Sequence, residues 1–314
     1  MKVFKIGVFT KYKEEKNRFS CIHNSPCKIF KILDELSKLV DFEYEVNNYN
    51  AKYDFAICDR FVPKKKINAN RILNFSEARP IVSWATDYCS TTLSDKIKHK
   101  NQFRMLNYCQ GVKISEDRLN KKRSGAIFLG RVTGQIEKKL IILSKNISLD
   151  ILPIKYWHKG DILRFHNKDR KSKENLKFLQ KRFGLTKIVE PADHSELYGL
   201  LNRGGYKIGF VPSVYSLDSK KNQIESSSKF FEYIGCGIPV LVEATVPEAK
   251  LVKNNPFLGE VFLGKRDMVA KAQTMNRQSA NYSKILKYAN KNHFANSRAK
   301  SLYENFIAKE LADG

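Results

Sequence analysis

No stretch of the chain reaches the roughly eighteen continuous apolar residues that a membrane-spanning helix requires. Acidic residues are scarce: 32 Asp and Glu stand against 57 Lys and Arg, a net charge of +25. Cys-x-x-Cys pairs are missing. The six cysteines (Cys21, Cys27, Cys58, Cys89, Cys109 and Cys236) are scattered, which argues against a zinc ribbon or a dithiol motif and for reduced thiols. Cys21 and Cys27 flank His23, but no fourth ligand accompanies them and no metal site is read there. There is neither a short-period repeat nor a low-complexity tract. The first residues, MKVFKIGVFT, hold too short an apolar run for a signal peptide and no small-residue cleavage site. They read as a buried strand of a cytoplasmic protein.

What is present is globular. With 42% hydrophobic and 11% aromatic residues, 314 residues suffice for two cores of about 150 residues each. The basic excess draws anionic partners: a phosphorylated small molecule, a bilayer surface or nucleic acid. Lysine is spread along the whole chain, so the excess does not choose among them.

Strand and helix patterns alternate. KVFKIGVFT is an apolar strand, and Ser25-Pro26 is a helix start with proline in the first turn. Ile29, Ile32, Leu33, Leu36, Leu39 and Val40 then share one helical face. FEYEV, YDFAICD and RPIVSWATD read as strands. A polar, charged stretch, Leu119 to Gly125, reads as a solvated linker. A second alternation follows: AIFLGRV, the helix QIEKKLIILSKN, SLDILPI, the helix KENLKFLQKRFG, LTKIVEP, a capping box at Asp193-His-Ser-Glu196, YKIGFVPS, and PVLVEA. Such alternation implies parallel sheets covered by helices. Residues from Ser283 to Leu311 are helical by pattern.

The stretch SSSKFFEYIGCGIPVLVE, residues 226–243, follows a strand and opens a helix. A helix head of this kind offers unpaired N–H groups and the positive end of the macrodipole to phosphate. Ser227 and Ser228 add hydroxyls and Lys229 a cation. Glu232 stands one turn further in; an ionised carboxylate only accepts hydrogen bonds, which suits a ribose diol. The bland alternative is a surface ion pair between Lys229 and Glu232. Arg131, at the end of AIFLGRV, has the fork that clamps a diphosphate, with Lys138 or Lys139 on the next helix.

KFFEYIGCGIPVLVEA, with FLGRVTGQIEKK before it and VPS ending the preceding strand, resembles the C-terminal domain of GT-B glycosyltransferases, and within them the retaining "glycosyl transferases group 1" family. The resemblance covers residues 125–265. It implies two Rossmann-like doubly wound domains facing a central cleft, with the C-terminal helix packing back on the N-terminal domain. The boundaries that follow are 1–122 for an acceptor domain, 123–283 for a nucleotide-sugar domain and 284–314 for the returning helix. It also implies that Glu232 binds the nucleotide ribose, while Arg131 and a lysine, Lys138 or Lys139, contact the diphosphate. Two departures stand out. The family's first glutamate falls at Ile224, beside Glu225, and the glycine-rich loop after the first strand is missing.

Asp87, read as the carboxyl end of a strand, is the candidate general base on an acceptor hydroxyl; His23, beside the first helix start, is the second candidate catalytic group. The expected enzyme is a metal-independent glycosyltransferase. It has no resident cofactor, and its donor substrate is a UDP-, GDP- or ADP-sugar. The expected acceptor is a glycan or lipid-linked hydroxyl in cell-surface, lipopolysaccharide or glycolipid synthesis, reached from the cytoplasm or the inner membrane face. Two alternatives stay open. One is a phage-type DNA glucosyltransferase, which a strand ending in Thr-Asp resembles; the other is a non-catalytic module that binds sugar nucleotides or nucleic acid.

Overall fold

A computed structural model describes residues 3–10, 27–59, 65–76, 85–90, 101–105, 123–158, 161–164, 170–183, 187–188, 194–219, 221–223 and 227–308. The chain divides into two compact units. The described residues 3–105 and 291–308 belong to the first, and 123–223 and 227–290 to the second.

In the first unit, strands β1 (Phe4–Phe9), β2 (Phe42–Val46), β3 (Lys52–Asp59), β4 (Asn68–Ser76), β5 (Asp87–Ser90) and β6 (Gln102–Arg104) form one parallel sheet in the order β2-β1-β3-β4-β5-β6. Alternation puts Phe4, Ile6 and Val8 on one face, where helix α1 (Cys27–Leu36) packs through Ile29, Phe30, Ile32, Leu33 and Leu36. Each such side chain contributes about 1.5–3 kcal/mol by leaving water. α1 ends at Leu36, sooner than its apolar spacing implies. The next residues form a turn closed by Leu39 and Val40 N–H on the Leu36 carbonyl, which leaves Leu39 49% exposed.

β4 is absent from the sequence reading because NANRILNFS is polar. Two of its polar side chains are satisfied inside, Arg71 by Asp87 and the Asn74 amide by the Cys58 carbonyl at 3.3 Å, while Asn68 and Asn70 face solvent. The last residues return to this sheet. Ala295, Ala299, Leu302, Phe306 and Ile307 join the core under α1, and Arg71 donates to the Phe306 carbonyl at 2.6 Å. The expected return of the C-terminal helix to the N-terminal domain is thus observed.

In the second unit, β7 (Ala126–Val132), β8 (Leu149–His158), β10 (Lys187–Ile188), β11 (Ile208–Val211), β12 (Val240–Glu243) and β13 (Gly259–Phe262) run parallel in the order β10-β8-β7-β11-β12-β13. β9 (Asp161–Arg164) turns back antiparallel on β8, a hairpin that the pattern SLDILPI does not show. One face of the sheet carries Ala126, Phe128, Ile208, Phe210, Leu241 and Phe262. Residues of helices α2 (Gly134–Ser144), α3 (Arg170–Phe183) and, further along, α7 (Gly264–Arg277) cover it. Gly209 faces the other side. A Cβ there would lie 2.3 Å from Cγ of Tyr233, so only glycine lets helix α5 (Ser228–Gly235) approach this closely. Helix α4 (His194–Gly204) precedes β11, and α6 (Ala249–Asn254) follows β12.

Two helices close the chain, α8 (Tyr282–His293) and α9 (Ala295–Leu302), with a π-turn over Tyr303–Ile307. Residue 123 corrects the linker reading. Arg123 is buried, donates to the Tyr206 carbonyl at 3.4 Å, and stacks its guanidinium 4.0 Å from the Tyr282 ring centroid.

Candidate functional site

Open parallel sheets take ligands beyond the carboxyl ends of the strands, at the point where strand order reverses. In the second unit that point lies between β7 and β11. The ladder joining them holds only Ala126 with Ile208 and Ile127 with Gly209. Beyond it, Tyr233 takes over: its hydroxyl accepts the Leu129 N–H at 2.8 Å and donates to the Ile127 carbonyl at 3.1 Å. A helix residue therefore completes the backbone hydrogen bonding of β7 and fixes α5 at the switch point.

The end of β7 is shaped for an approach. Gly130 has φ +122°, and a Cβ on it would lie 3.3 Å from Cε of Lys229. The register with β8 slips between Gly130 and Arg131, and Arg131 emerges exposed. Lys229, half-buried in the first turn of α5, sets its ammonium 5.2 Å from the Phe128 ring centroid. Burial pushes the Lys229 pKa down to about 8; Glu248 opposes that shift and Arg131 adds to it. Two cations thus meet at the carboxyl edge of the sheet.

Ser227 caps α5 in extended geometry, but its side chain makes no capping bond. Among the described residues, the buried hydroxyls of Thr133, Ser227 and Thr245 have no hydrogen-bond partner. Such groups inside a folded protein mark places where a polar ligand or water completes them. Thr133, two residues after Arg131, is the N-cap of α2, and Thr245 follows β12. The three hydroxyls therefore follow β7 or β12, or open the helix head between them.

Glu232 lies one turn further along α5, buried, and accepts a short hydrogen bond from the Tyr198 hydroxyl of α4. Tyr198 holds the carboxylate in one orientation. Sequence reasoning missed it, because in HSELYGLL it reads as one more apolar-face residue beside Leu197 and Leu201. Glu248 was missed as well. It is fully buried and accepts the Ser227 N–H at 2.8 Å.

The structure separates the two lysines of α2. Lys139 is buried and saturated: its ammonium donates to Glu243 at 2.6 Å and to the carbonyls of Ser213 and Tyr215 at 2.9 and 2.6 Å. It braces the fold. Lys138 points to solvent, and no described contact joins it to Arg131. The amine that does stand by Arg131 is Lys229. Ser228 is exposed at the helix head.

Asp87 requires a correction. It begins β5 instead of ending a strand, aligned with Leu73 in mid-β4, and is 2% exposed. Arg71 grips both its oxygens at 2.5 and 3.2 Å, and Thr86 adds a third hydrogen bond at 2.7 Å. Its carboxylate is consumed in a structural ion pair, not presented at a carboxyl edge. His23 lies outside the described residues. Among those described, no group of three or more His, Cys, Asp or Glu side chains is placed to hold a metal ion, and no helix is long and apolar enough to cross a membrane.

No family model matches the chain, and no curated protein matches it in sequence. Solved structures match it over nearly its whole length. AviGT4, a glycosyltransferase involved in avilamycin A biosynthesis, superposes with a TM-score of 0.63 at 12% identity, covering 99% of this chain and 98% of that one. The fold is GT-B. The lipopolysaccharide outer core galactosyltransferase WaaB shares it, with a TM-score of 0.57 at 10% identity over 97% and 99% of the two chains. So does HepE of Anabaena, solved with UDP, with a TM-score of 0.56 at 10% identity over 99% and 100%; HepE has also been solved with UDP and glucose. Identities this low carry the GT-B fold to the chain, and activity has to be argued from the site.

Proposed function

We propose that the second unit binds a nucleoside diphosphate-sugar and that the protein transfers its sugar to an acceptor hydroxyl. One observation carries this reading: two cations, Arg131 and Lys229, stand together at the switch point of a GT-B sheet, by a helix head whose buried N-cap hydroxyl, Ser227, has no partner. Arg131 engages two diphosphate oxygens through its fork, and Lys229 and the N–H groups at the head of α5 take the others. Glu232, oriented by Tyr198, accepts from the ribose hydroxyls. As the bond from sugar to phosphate breaks, negative charge grows on the leaving diphosphate, and these fixed positive groups stabilise it without rearranging. In this reading the two side-chain cations supply the countercharge that a metal ion provides elsewhere.

UDP heads the donor panel because HepE binds it. The proposed acceptor is a glycan or lipid-linked hydroxyl, with WaaB as the analogy; the +25 charge also suits an anionic membrane surface. The test is calorimetric titration with UDP, GDP and ADP, followed by product analysis with the matching sugar nucleotides and a panel of glycans, glycolipids and duplex DNA. Binding of one nucleotide, its loss in Glu232→Ala and Arg131→Ala, and glycoside product support the reading. No binding by any nucleotide overturns it. Binding without turnover reduces it to a sugar-nucleotide binding module, and transfer to DNA replaces the acceptor class.

A further inference from the structure

The head of α5 is capped in an unusual way. In a capping box, the N-cap serine hydroxyl bonds the N–H of the third helical residue, and a glutamate at that position bonds back to the N-cap N–H. Here the third helical residue is Phe230, and the glutamate comes from elsewhere in the chain. Glu248, directly before α6, accepts the Ser227 N–H at 2.8 Å and is fully buried. The Ser227 hydroxyl makes no capping bond and has no partner.

Glu248 also faces the positive charge of the site. The groups around Lys229 are Glu248 from the segment before α6, Arg131 at the end of β7, and the Phe128 ring beneath the ammonium. Of the two charged ones, Arg131 disfavours a protonated Lys229 and Glu248 favours it. The carboxylate holds the N-cap residue's own N–H and brings negative charge to the helix head while the Ser227 hydroxyl stays unengaged.

We propose that Glu248 is a positioning residue for donor binding: it caps the α5 head from outside, releases the Ser227 hydroxyl toward the diphosphate, and sets a countercharge at the head beside Lys229. The proposal deepens the donor-site reading and rests on it. Its two parts separate by substitution. Glu248→Gln keeps an acceptor for the Ser227 N–H and removes the charge; Glu248→Ala removes both.

The experiment measures UDP affinity (or that of GDP or ADP, whichever the intact protein binds) by calorimetry from pH 6 to 9.5. The intact protein is expected to lose affinity as the pH rises past about 8, because an uncharged Lys229 no longer attracts phosphate. In Glu248→Gln the midpoint of that loss falls by about one pH unit, which makes affinity roughly fivefold weaker at pH 8. In Glu248→Ala affinity also falls at pH 6. In a Lys229→Met background, Glu248→Gln leaves the pH profile unchanged. An unshifted midpoint in Glu248→Gln overturns the proposal while the donor-site reading stands; absence of nucleotide binding by the intact protein overturns the donor-site reading itself. Should Glu248→Gln not fold, Glu248→Asp keeps the charge and retracts the cap. It is expected to hold the midpoint and lose affinity, and unchanged affinity then refutes the capping role.

Discussion

Lys139→Met tests whether the buried brace of the second unit behaves as its geometry requires. Lys139 and Glu243 are 1% and 2% exposed and lie 2.6 Å apart. Glu243 also accepts the Ser213 N–H at 2.8 Å, while Lys139 serves two carbonyls. Burial lowers the lysine pKa and raises that of the glutamate, and each partner opposes the other's shift. Removing the cation strands a carboxylate and two carbonyls away from water. Breaking a buried pair from one side costs about 3–5 kcal/mol. For a domain of this size that is a fall of about 6–20 °C in melting temperature, at roughly 2–4 °C per kcal/mol. The pair Lys139→Met with Glu243→Leu removes both charges and is expected to recover all but about 1–3 kcal/mol, the residue reflecting the Ser213 N–H left without its acceptor and the Ser213 and Tyr215 carbonyls left without their donor. Urea unfolding of both single variants and the double variant completes the cycle. The reasoning is refuted by a single-variant loss below about 1 kcal/mol, or by single effects that add within about 0.5 kcal/mol.

Three further outcomes are expected. Tyr198→Phe keeps the ring in the core but removes the hydroxyl that orients Glu232, a hydrogen bond to a charged group of about 1.5–3 kcal/mol; calorimetry is expected to show UDP binding about tenfold weaker or more, and an unchanged Kd contradicts the assigned role. Gly209→Ala places a methyl 2.3 Å from Tyr233 and displaces α5, at a cost of about 1–3 kcal/mol in thermal unfolding; a neutral result argues against tight packing there. His293 is buried beside Arg298, and desolvation foremost, then that charge, holds its pKa near 3 against 6.5 for the free group. The unfolded chain therefore binds the extra proton first, and stability falls by up to about 1.4 kcal/mol per pH unit from pH 6.5 down toward 3. His293→Leu should flatten that part of an acid unfolding curve, and a curve as steep as that of the intact protein assigns the loss to other groups.

The sequence made the parallel-sheet architecture legible because runs such as FKIGVF and AIFLGRV are too apolar for any half-solvated strand. The glycines of GCGIP and the serine-rich head likewise announced a helix between two strands. What stayed hidden has a common cause: polar residues whose partners lie far along the chain. NANRILNFS looks like a loop until Arg71 finds Asp87 and the Phe306 carbonyl. Asp87 looks like a base at a strand end until that same arginine claims it. Glu248, sixteen residues beyond Glu232, reads as an ordinary acid after a proline, and only the fold brings it to Ser227. Of two adjacent lysines on α2, periodicity alone did not tell the buried brace from the solvated neighbour.

The hydrogen bond from Arg71 to the Phe306 carbonyl spans 235 positions of sequence, and this has a consequence for the nascent chain. The core under α1 is complete only when Ala295, Leu302 and Phe306 arrive, whereas every described strand of the second unit lies between residues 126 and 262. At ribosomal rates of about 5–20 residues per second, the first strands wait some tens of seconds for the helix that covers them. The first unit, though it holds the earliest strands, is thus the one whose core waits longest for its last residues.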